Sequence, residues 1–171
     1  MAEKFSDLIS YFESLARRHV DIKHSDTEKH FFRMEVDEVL GGIDRSDAAF
    51  PMLILEGYGY NFTDNNSDNL LKNRQGGFML IDHVADASDF DAIQEVWDHM
   101  EEIGDEILRK IKSDKRNSLT RVVRDFSFTN VEATLLATQL GNNYGIRYTY
   151  TVVSPLNTEL DPTKWETDSS E

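Results

Sequence analysis

Acidic and histidine side chains meet at the end of an apolar run in GGFMLIDHVADASDFD, residues 76–91. Asp82 and His83 end the run, and three carboxylates follow at Asp86, Asp89 and Asp91. Such residues can bind a metal ion or transfer protons. Successive side chains of a strand point to opposite faces, so Asp82 and His83 do not converge. Carboxylates also suit the start of a helix, and the pattern favours a strand-to-helix junction over an active site.

A second constellation, Asp64, Asn66 and Asp68, has the spacing that begins a calcium-binding loop. Asn69 stands at the sixth position, where that loop needs glycine, and Gln75 stands at the twelfth, where it needs glutamate. The sequence on either side does not predict the two flanking helices. These residues therefore predict the tip of a hairpin rather than a calcium site.

The histidines give no stronger signal for chemistry. His99 has glutamates on its own helical face, but one helical pair does not make a two-metal site. His19, His24 and His30 match no standard zinc spacing. The sequence has no cysteine, nucleophile elbow, phosphate-binding loop or dinucleotide fingerprint. We therefore expect a protein that is not an enzyme, with no catalytic, metal or cofactor site.

Length and charge narrow the class of protein. The 171 residues, of which 39% are hydrophobic, suffice for one domain with a packed core. Eighteen basic against 32 acidic residues give a net charge of −14, which opposes binding to duplex DNA and to anionic membranes. No apolar run reaches the ~20 residues of a transmembrane helix, and the first residues do not resemble a signal peptide. This composition predicts a soluble protein of a reducing compartment.

Hydrophobic periodicity predicts the first elements. The stretch FSDLISYFESLARRHV reads as an amphipathic helix with Ser6 as its N-cap, and residues 21–29 read as an exposed polar linker. HFFRMEV alternates like a half-buried strand. PMLILEGYGYNF predicts one strand, in which Gly57 and Gly59 indicate a bulge, a bend or a close neighbouring chain. RQGGFMLIDHV, with its continuous apolar run, predicts a central strand.

The clearest element is a long helix in SDFDAIQEVWDHMEEIGDEILRKIK, with Ser88 and Asp91 at capping-box spacing. Its apolar stripe consists of Phe90, Ile93, Trp97, Met100, Ile107 and Ile111. The following chain predicts two or three strands with a turn at GNNYG. We therefore expect one α+β domain over residues 1–155, with an N-terminal helix and one long central helix packed on one face of a mostly antiparallel sheet. Residues 156–171 form an acidic tail.

Several residues suit contacts with another protein. Gly57, Tyr58, Gly59 and Tyr60 make an aromatic and glycine strand that a neighbouring backbone could approach. Trp165 stands in the acidic tail and needs a place to bury its ring, either on its own domain or on a partner. Together with the hairpin-tip residues Asp64, Asn66 and Asp68, these are the predicted interface residues.

The layout resembles the tail-terminator and tail-completion proteins of tailed phages and related tail-like particles. The stretches that carry the resemblance are FPMLILEGYGYNF, SDFDAIQEVWDHMEEIGDEILRKI and GNNYGIRYTYTVVSP, and it extends by element order over roughly residues 5–155. It implies a structural virion subunit, assembled in the host cytoplasm, that forms a homo-oligomeric ring, commonly of six. The ring would lie at the head-proximal end of the tail or at the head–tail junction, against other tail or connector proteins. The family offers no catalytic residues to transfer.

The net charge fits this expectation, because a negative lumen would repel DNA and let it pass without specific binding. Two other classes stay open. The first is a stand-alone acidic binding or adaptor domain that acts as a monomer or dimer. The second, which the residues support less, is a metal-dependent enzyme built on Asp82, His83 and the acidic loop.

Overall fold

A computed structural model of the protein describes residues 4–33, 48–64, 70–117, 121–137 and 141–166. In chain order the helices and strands are α1 (Phe5–Arg18), β1 (Lys29–Arg33), β2 (Ala48–Leu55), β3 (Gly59–Thr63), β4 (Leu71–His83), α2 (Phe90–Arg116), α3 (Arg121–Arg124), β5 (Phe126–Ala137), β6 (Asn143–Pro155) and a 3-10 turn (Pro162–Lys164). The two long helices and the strands around them follow the predicted order.

The strands form one sheet in the order β1-β2-β4-β6-β5. β1 and β2 are parallel, whereas every other pair of neighbours is antiparallel. β3 also pairs with β4, so that β2 lies along the second half of β4 and β3 along its first half. β4 is therefore central, which confirms the prediction from its apolar run.

Alternation along the strands creates two apolar faces of unequal size. The larger face carries Phe78, Leu80, Tyr148 and Tyr150, and both long helices pack against it through residues such as Phe12. The opposite face holds a smaller buried cluster, formed by Met52, Ile54, Met79 and Ile81. The predicted α+β architecture, with the helices on one face of a mostly antiparallel sheet, is confirmed.

Stacked aromatic rings fix the helices on the larger face. Phe78 stacks on Tyr148 with ring centroids 4.9 Å apart, and Phe12 of α1 lies 5.4 Å from Phe78. The Tyr148 hydroxyl donates a hydrogen bond to the Glu101 carbonyl at 3.3 Å. Burial raises the pKa of Tyr148 to about 12, so this hydroxyl keeps its proton at neutral pH.

The predicted helix caps differ from the observed ones. α1 begins two residues earlier than a Ser6 cap requires, with Lys4 as its N-cap, and the Lys4 amide donates to the Asp7 carboxylate at 3.0 Å. In α2 the N-cap is Asp89, which accepts a hydrogen bond from the Ala92 amide at 3.0 Å. The predicted cap, Ser88, donates instead to Asp86 from its amide and its hydroxyl. These bonds lower the pKa of Asp86.

The single strand predicted at residues 51–62 is interrupted at residues 56–58. The Glu56 side chain turns to an ion pair with Arg147, and the Tyr58 ring packs edge-on against Phe5 at 5.1 Å. β3 then continues along the same edge of β4, because Leu55 pairs with Phe78 and Gly59 pairs with Gln75, a register shift of one residue. Of the bulge, the bend and the neighbouring chain that the glycines indicated, the structure shows the bulge, whereas the prediction of one continuous strand is wrong.

The prediction that residues 21–29 are exposed is also wrong in part. Ile22 is fully buried, and the His24 side chain is only 8% exposed. His24 Nδ1 accepts hydrogen bonds from the amides of His30 at 3.1 Å and Phe31 at 3.3 Å. The linker is therefore fastened to the start of β1. The predicted continuation of that strand through residues 34–36 lies outside the described residues.

We expect the free energy of unfolding to fall as the pH drops through the ordinary range of histidine. Burial, followed by the positive charge of Arg17, lowers the pKa of His24, and burial also lowers that of His19. The unfolded chain therefore takes up protons first, and stability present above about pH 6.5 is lost below it. Protonation would also turn Nδ1 of His24 from an acceptor into a donor and break both amide hydrogen bonds.

Denaturant titrations at about pH 7.5 and about pH 5.5 check this expectation on either side of the ordinary histidine pKa. The matched variant is His24→Asn, which keeps a hydrogen-bond acceptor but removes the titrating ring. It should lose less stability than the wild type between the two pH values. An equal loss in both proteins would contradict the role given to His24.

Candidate assembly surfaces

The predicted interface residues lie on separate parts of the molecule. Tyr58 is half-buried and packs against the core, so it belongs to the domain interior rather than to an exposed strand. Gly57 beside it is also half-buried, whereas Gly59 and Tyr60 are exposed on β3. Asp64 is exposed at the end of β3. Asn66 and Asp68 lie outside the described residues.

β3 presents an exposed aromatic surface, and all five of its residues are exposed. Tyr60 is 56% and Phe62 is 50% exposed, and their rings meet edge-to-face at 5.6 Å. The Lys72 ammonium lies 3.8 Å above the Tyr60 ring. The Asn73 side-chain amide donates to Asn61 at 3.0 Å, which ties β3 to β4. We call residues 59–63 with their β4 partners the β3 hairpin.

The tail, residues 156–166 as described, extends from the end of β6. The Leu156 amide donates to the Leu70 carbonyl at 2.8 Å, and every residue from 157 to 166 is exposed. Leu160 is 66% and Trp165 is 67% exposed. Of the two predicted locations for the Trp165 ring, burial on its own domain is therefore not the one observed.

The tail has a defined local geometry at the residues before Trp165. The Asp161 carboxylate accepts hydrogen bonds from the amide and hydroxyl of Thr163, at 3.0 and 2.7 Å. These bonds lower the pKa of Asp161. They cap the 3-10 turn Pro162–Lys164, at whose end Trp165 projects.

An apolar groove of about 480 Å³ lies between the first turns of α2 and the β5–β6 hairpin. Its apolar lining comes mainly from Phe90, Ile93, Trp97, Leu135 and Tyr144. The floor is fixed, because Trp97 Nε1 donates to a β5 carbonyl at 2.8 Å and the Trp97 ring meets Tyr144 edge-to-face. The rim is open, since Phe90 is 79% and Leu135 is 51% exposed.

The groove was not anticipated from the sequence, which placed Phe90 in the buried stripe of α2. That prediction is wrong for Phe90, although Ile93, Met100, Ile107 and Ile111 of the same stripe are buried. Phe90 is the first residue of the helix and lies near the sheet edge formed by β5. No strand beyond β5 is described that could cover it.

The outer face of α2 is strongly acidic. Seven carboxylates are exposed along it: Asp91, Glu95, Asp98, Glu101, Glu102, Asp105 and Glu106. Arg109 pairs with the last two, at 3.4 and 2.7 Å. His99 is exposed on the same face. We call this surface the acidic face.

The acidic and histidine side chains that could have formed a metal or acid–base site make hydrogen bonds to other groups. Asp82 accepts from the amide of His83 at 2.7 Å, and His83 Nδ1 lies 3.2 Å from the side-chain oxygen of Asn143. His30 Nδ1 lies 2.8 Å from the Pro51 carbonyl. Within the described ranges, no three His, Asp or Glu side chains are grouped to hold a metal ion. The stretch 76–91 is thus a strand-to-helix junction in its geometry.

Comparison of the sequence with protein-family models and with curated proteins gives no match. None of the described helices is long and apolar enough to cross a membrane. Function is therefore inferred from the tail, the groove, the β3 hairpin and the acidic face.

Proposed function

We propose that the protein is a non-enzymatic structural subunit that forms a ring at the head-proximal end of a phage or phage-like tail, or at the head–tail junction. The observation that supports this function best is the exposure of large apolar side chains on three separate surfaces. These are Trp165 on the tail, Phe90 in the groove, and Tyr60 with Phe62 on the β3 hairpin. Exposed apolar surface of this kind commonly marks protein contacts.

A ring subunit needs at least three contact surfaces. Two of them bind the neighbours on either side within the ring, and the third binds the tube or the connector. A monomeric adaptor needs only one surface. The number and separation of the exposed aromatic surfaces therefore favour the ring over the adaptor.

The acidic face is proposed to line the central channel. The helix that carries it has 27 residues and is therefore about 40 Å long. The carboxylates of the acidic face lie between Asp91 and Glu106, over roughly 22 Å, and repel the phosphates of DNA at short range, so DNA slides through without binding.

Reversing charge on the acidic face should slow DNA ejection from particles. The test variant carries Glu95→Lys, Glu102→Lys and Glu106→Lys, which give the channel wall lysines that bind phosphates. DNA release from purified particles should become several-fold slower, and the delay should shrink at high salt because salt screens the attraction.

The matched control reverses three exposed acidic residues that lie elsewhere, with Asp21→Lys, Glu28→Lys and Glu132→Lys. Both variants change the net charge by the same amount. Equal release from the test variant, the control and the wild type would contradict a channel lined by the acidic face. The ring itself is tested separately, by measuring the native mass of the purified chain in solution and by imaging the same sample in negative stain.

A further inference from the structure

We propose that the tail of one copy docks in the groove of the next copy, with Trp165 and Leu160 packing against Phe90 and Leu135. The occupant of the groove is thus a second copy of this chain. This contact rests on the proposed ring function and supplies its subunit interface. The β3 hairpin is left for the tube or the connector.

The tail and the groove lie at opposite ends of β6. Tyr144 lines the groove near the start of the strand, and the tail begins after Pro155 at its end. The 13 residues of β6 span roughly 40 Å at about 3.3 Å per residue. The chain from Pro155 to Trp165 spans only about 30 Å, because the 3-10 turn shortens it. Tyr144 lies 11 residues before Pro155, roughly 36 Å away, so an extended tail could bring Trp165 only to the near edge of its own groove. In the structure residues 157–166 are exposed instead, and a neighbouring copy is the proposed partner.

The two surfaces match in chemistry and in size. Trp165 and Leu160 are two-thirds exposed on the tail, and Phe90 and Leu135 are exposed at the mouth of the groove. A cavity of about 480 Å³ is in the range that accepts a compact organic ligand, so one indole ring fits. Buried aromatic anchors of this type dominate many protein interfaces.

The charges around the groove and around Trp165 restrict the orientation in which the tail can bind. The rim of the groove carries Asp98 and Glu101, both exposed. Lys164 is the basic residue of the described tail, and it directly precedes Trp165. With the indole in the groove, the Lys164 ammonium can pair with the acidic rim only in an orientation in which Glu166, which directly follows Trp165, points away from it.

This geometry makes the contact heterologous, since it joins two different surfaces of the same molecule. Repetition of a heterologous contact produces a closed ring or an open filament, depending on the rotation between neighbours. Every copy then gives its tail to one neighbour and receives the tail of the other. A structural subunit with a groove at one end and a tail at the other can build a ring without any further protein.

Cysteine cross-linking tests the contact directly, because the natural chain contains no cysteine. Two full-length variants are made separately: Glu166→Cys on the tail and Gln94→Cys on the groove lining. Neither substitution removes one of the four proposed anchors. The two proteins are mixed and treated with a mild oxidant, and the rate of disulfide-linked heterodimer formation is measured. We expect a rate at least tenfold above that of Glu166→Cys mixed with Glu28→Cys, whose position is exposed on the far edge of the sheet.

A second comparison separates the specific contact from chance collision. Trp165→Ala added to the Glu166→Cys protein should reduce the rate to that of the Glu28→Cys control. Lys164→Glu should reduce it several-fold. A rate that equals the control in the original pair, or that is unchanged by Trp165→Ala, would overturn the contact.

The same experiment distinguishes this contact from the function on which it rests. Ring assembly without preferential cross-linking would overturn the tail-to-groove contact and leave the ring function standing. A monomer that also fails to cross-link would contradict both. A single chain that carries both cysteines and closes into an internally linked monomer would show that the tail reaches its own groove, and this too would overturn the proposal.

Discussion

Replacing Arg147 with alanine should lower the free energy of unfolding by about 3 kcal/mol. Arg147 donates two hydrogen bonds of 2.8 Å from its guanidinium to the Glu56 carboxylate, which is 4% exposed. Removing the guanidinium leaves a buried negative charge without its partner. The loss should lie at the lower end of the range for buried pairs, because the Arg147 side chain is 36% exposed and water can enter its place.

Chemical denaturation of the two proteins measures this loss. The matched control is Arg109→Ala, since Arg109 pairs with carboxylates that are more than half exposed. Its effect should stay within about 0.5 kcal/mol of the wild type. Adding Glu56→Gln to Arg147→Ala should restore part of the stability, because a neutral amide costs less to bury. Equal effects of the two arginine variants would contradict the importance assigned to the buried pair.

Replacing Gly145 with alanine should destabilise the fold by a similar amount, about 3 kcal/mol. A methyl group at Gly145 would overlap the main-chain carbonyl oxygen of Leu80 on the neighbouring strand and approach Ile81 Cα to 2.9 Å. Relief requires the backbones to separate, yet β4 and β6 are paired along their whole lengths. The cost is therefore that of main-chain displacement rather than of a side-chain rotation.

Gly59 provides the control for this substitution. It also lies in a strand, but a methyl group there would meet nothing within 4 Å. Gly59→Ala should therefore change the free energy of unfolding by no more than about 0.5 kcal/mol. Thermal and denaturant unfolding of both variants measure the difference. A Gly145→Ala protein as stable as Gly59→Ala would show that the two strands are not packed as closely as described.

Local patterns were sufficient to predict the main elements of this fold. The helical spacing of Ile93, Met100 and Ile107 fixed the buried side of α2, and the apolar run from Phe78 to Ile81 placed β4 in the centre of the sheet. Both signals depend only on neighbouring residues. The folded structure agrees with both predictions because burial of these apolar residues is the largest favourable contribution to folding.

Features that depend on distant partners could not be predicted in this way. The interruption between β2 and β3 involves Glu56 and Arg147, which lie 91 positions apart in the chain. The choice of Asp89 over Ser88 as the cap of α2 is local by contrast, but it depends on a competing hydrogen bond, in which the Ser88 hydroxyl donates to Asp86. Each of these residues is an acceptable strand or cap residue by itself.

The candidate surfaces also differ in whether neighbouring residues alone reveal them. Trp165 was found because a large ring in an acidic tail is conspicuous in the sequence. The groove was missed because Leu135 and Tyr144 belong to different strands and meet Phe90 only in the folded protein. The exposure of Phe90 depends on where the first turn of α2 lies relative to β5, and no local pattern encodes that position.

We propose that this chain assembles into rings through its own surfaces. The most direct measurement is the native mass of the purified full-length protein by light scattering over a range of concentrations, with negative-stain images of the same fractions. We expect a mass that rises with concentration to a plateau of several subunits, and images of closed rings at the plateau. The mass of a single chain at every concentration, with no rings in the images, would contradict the proposed function.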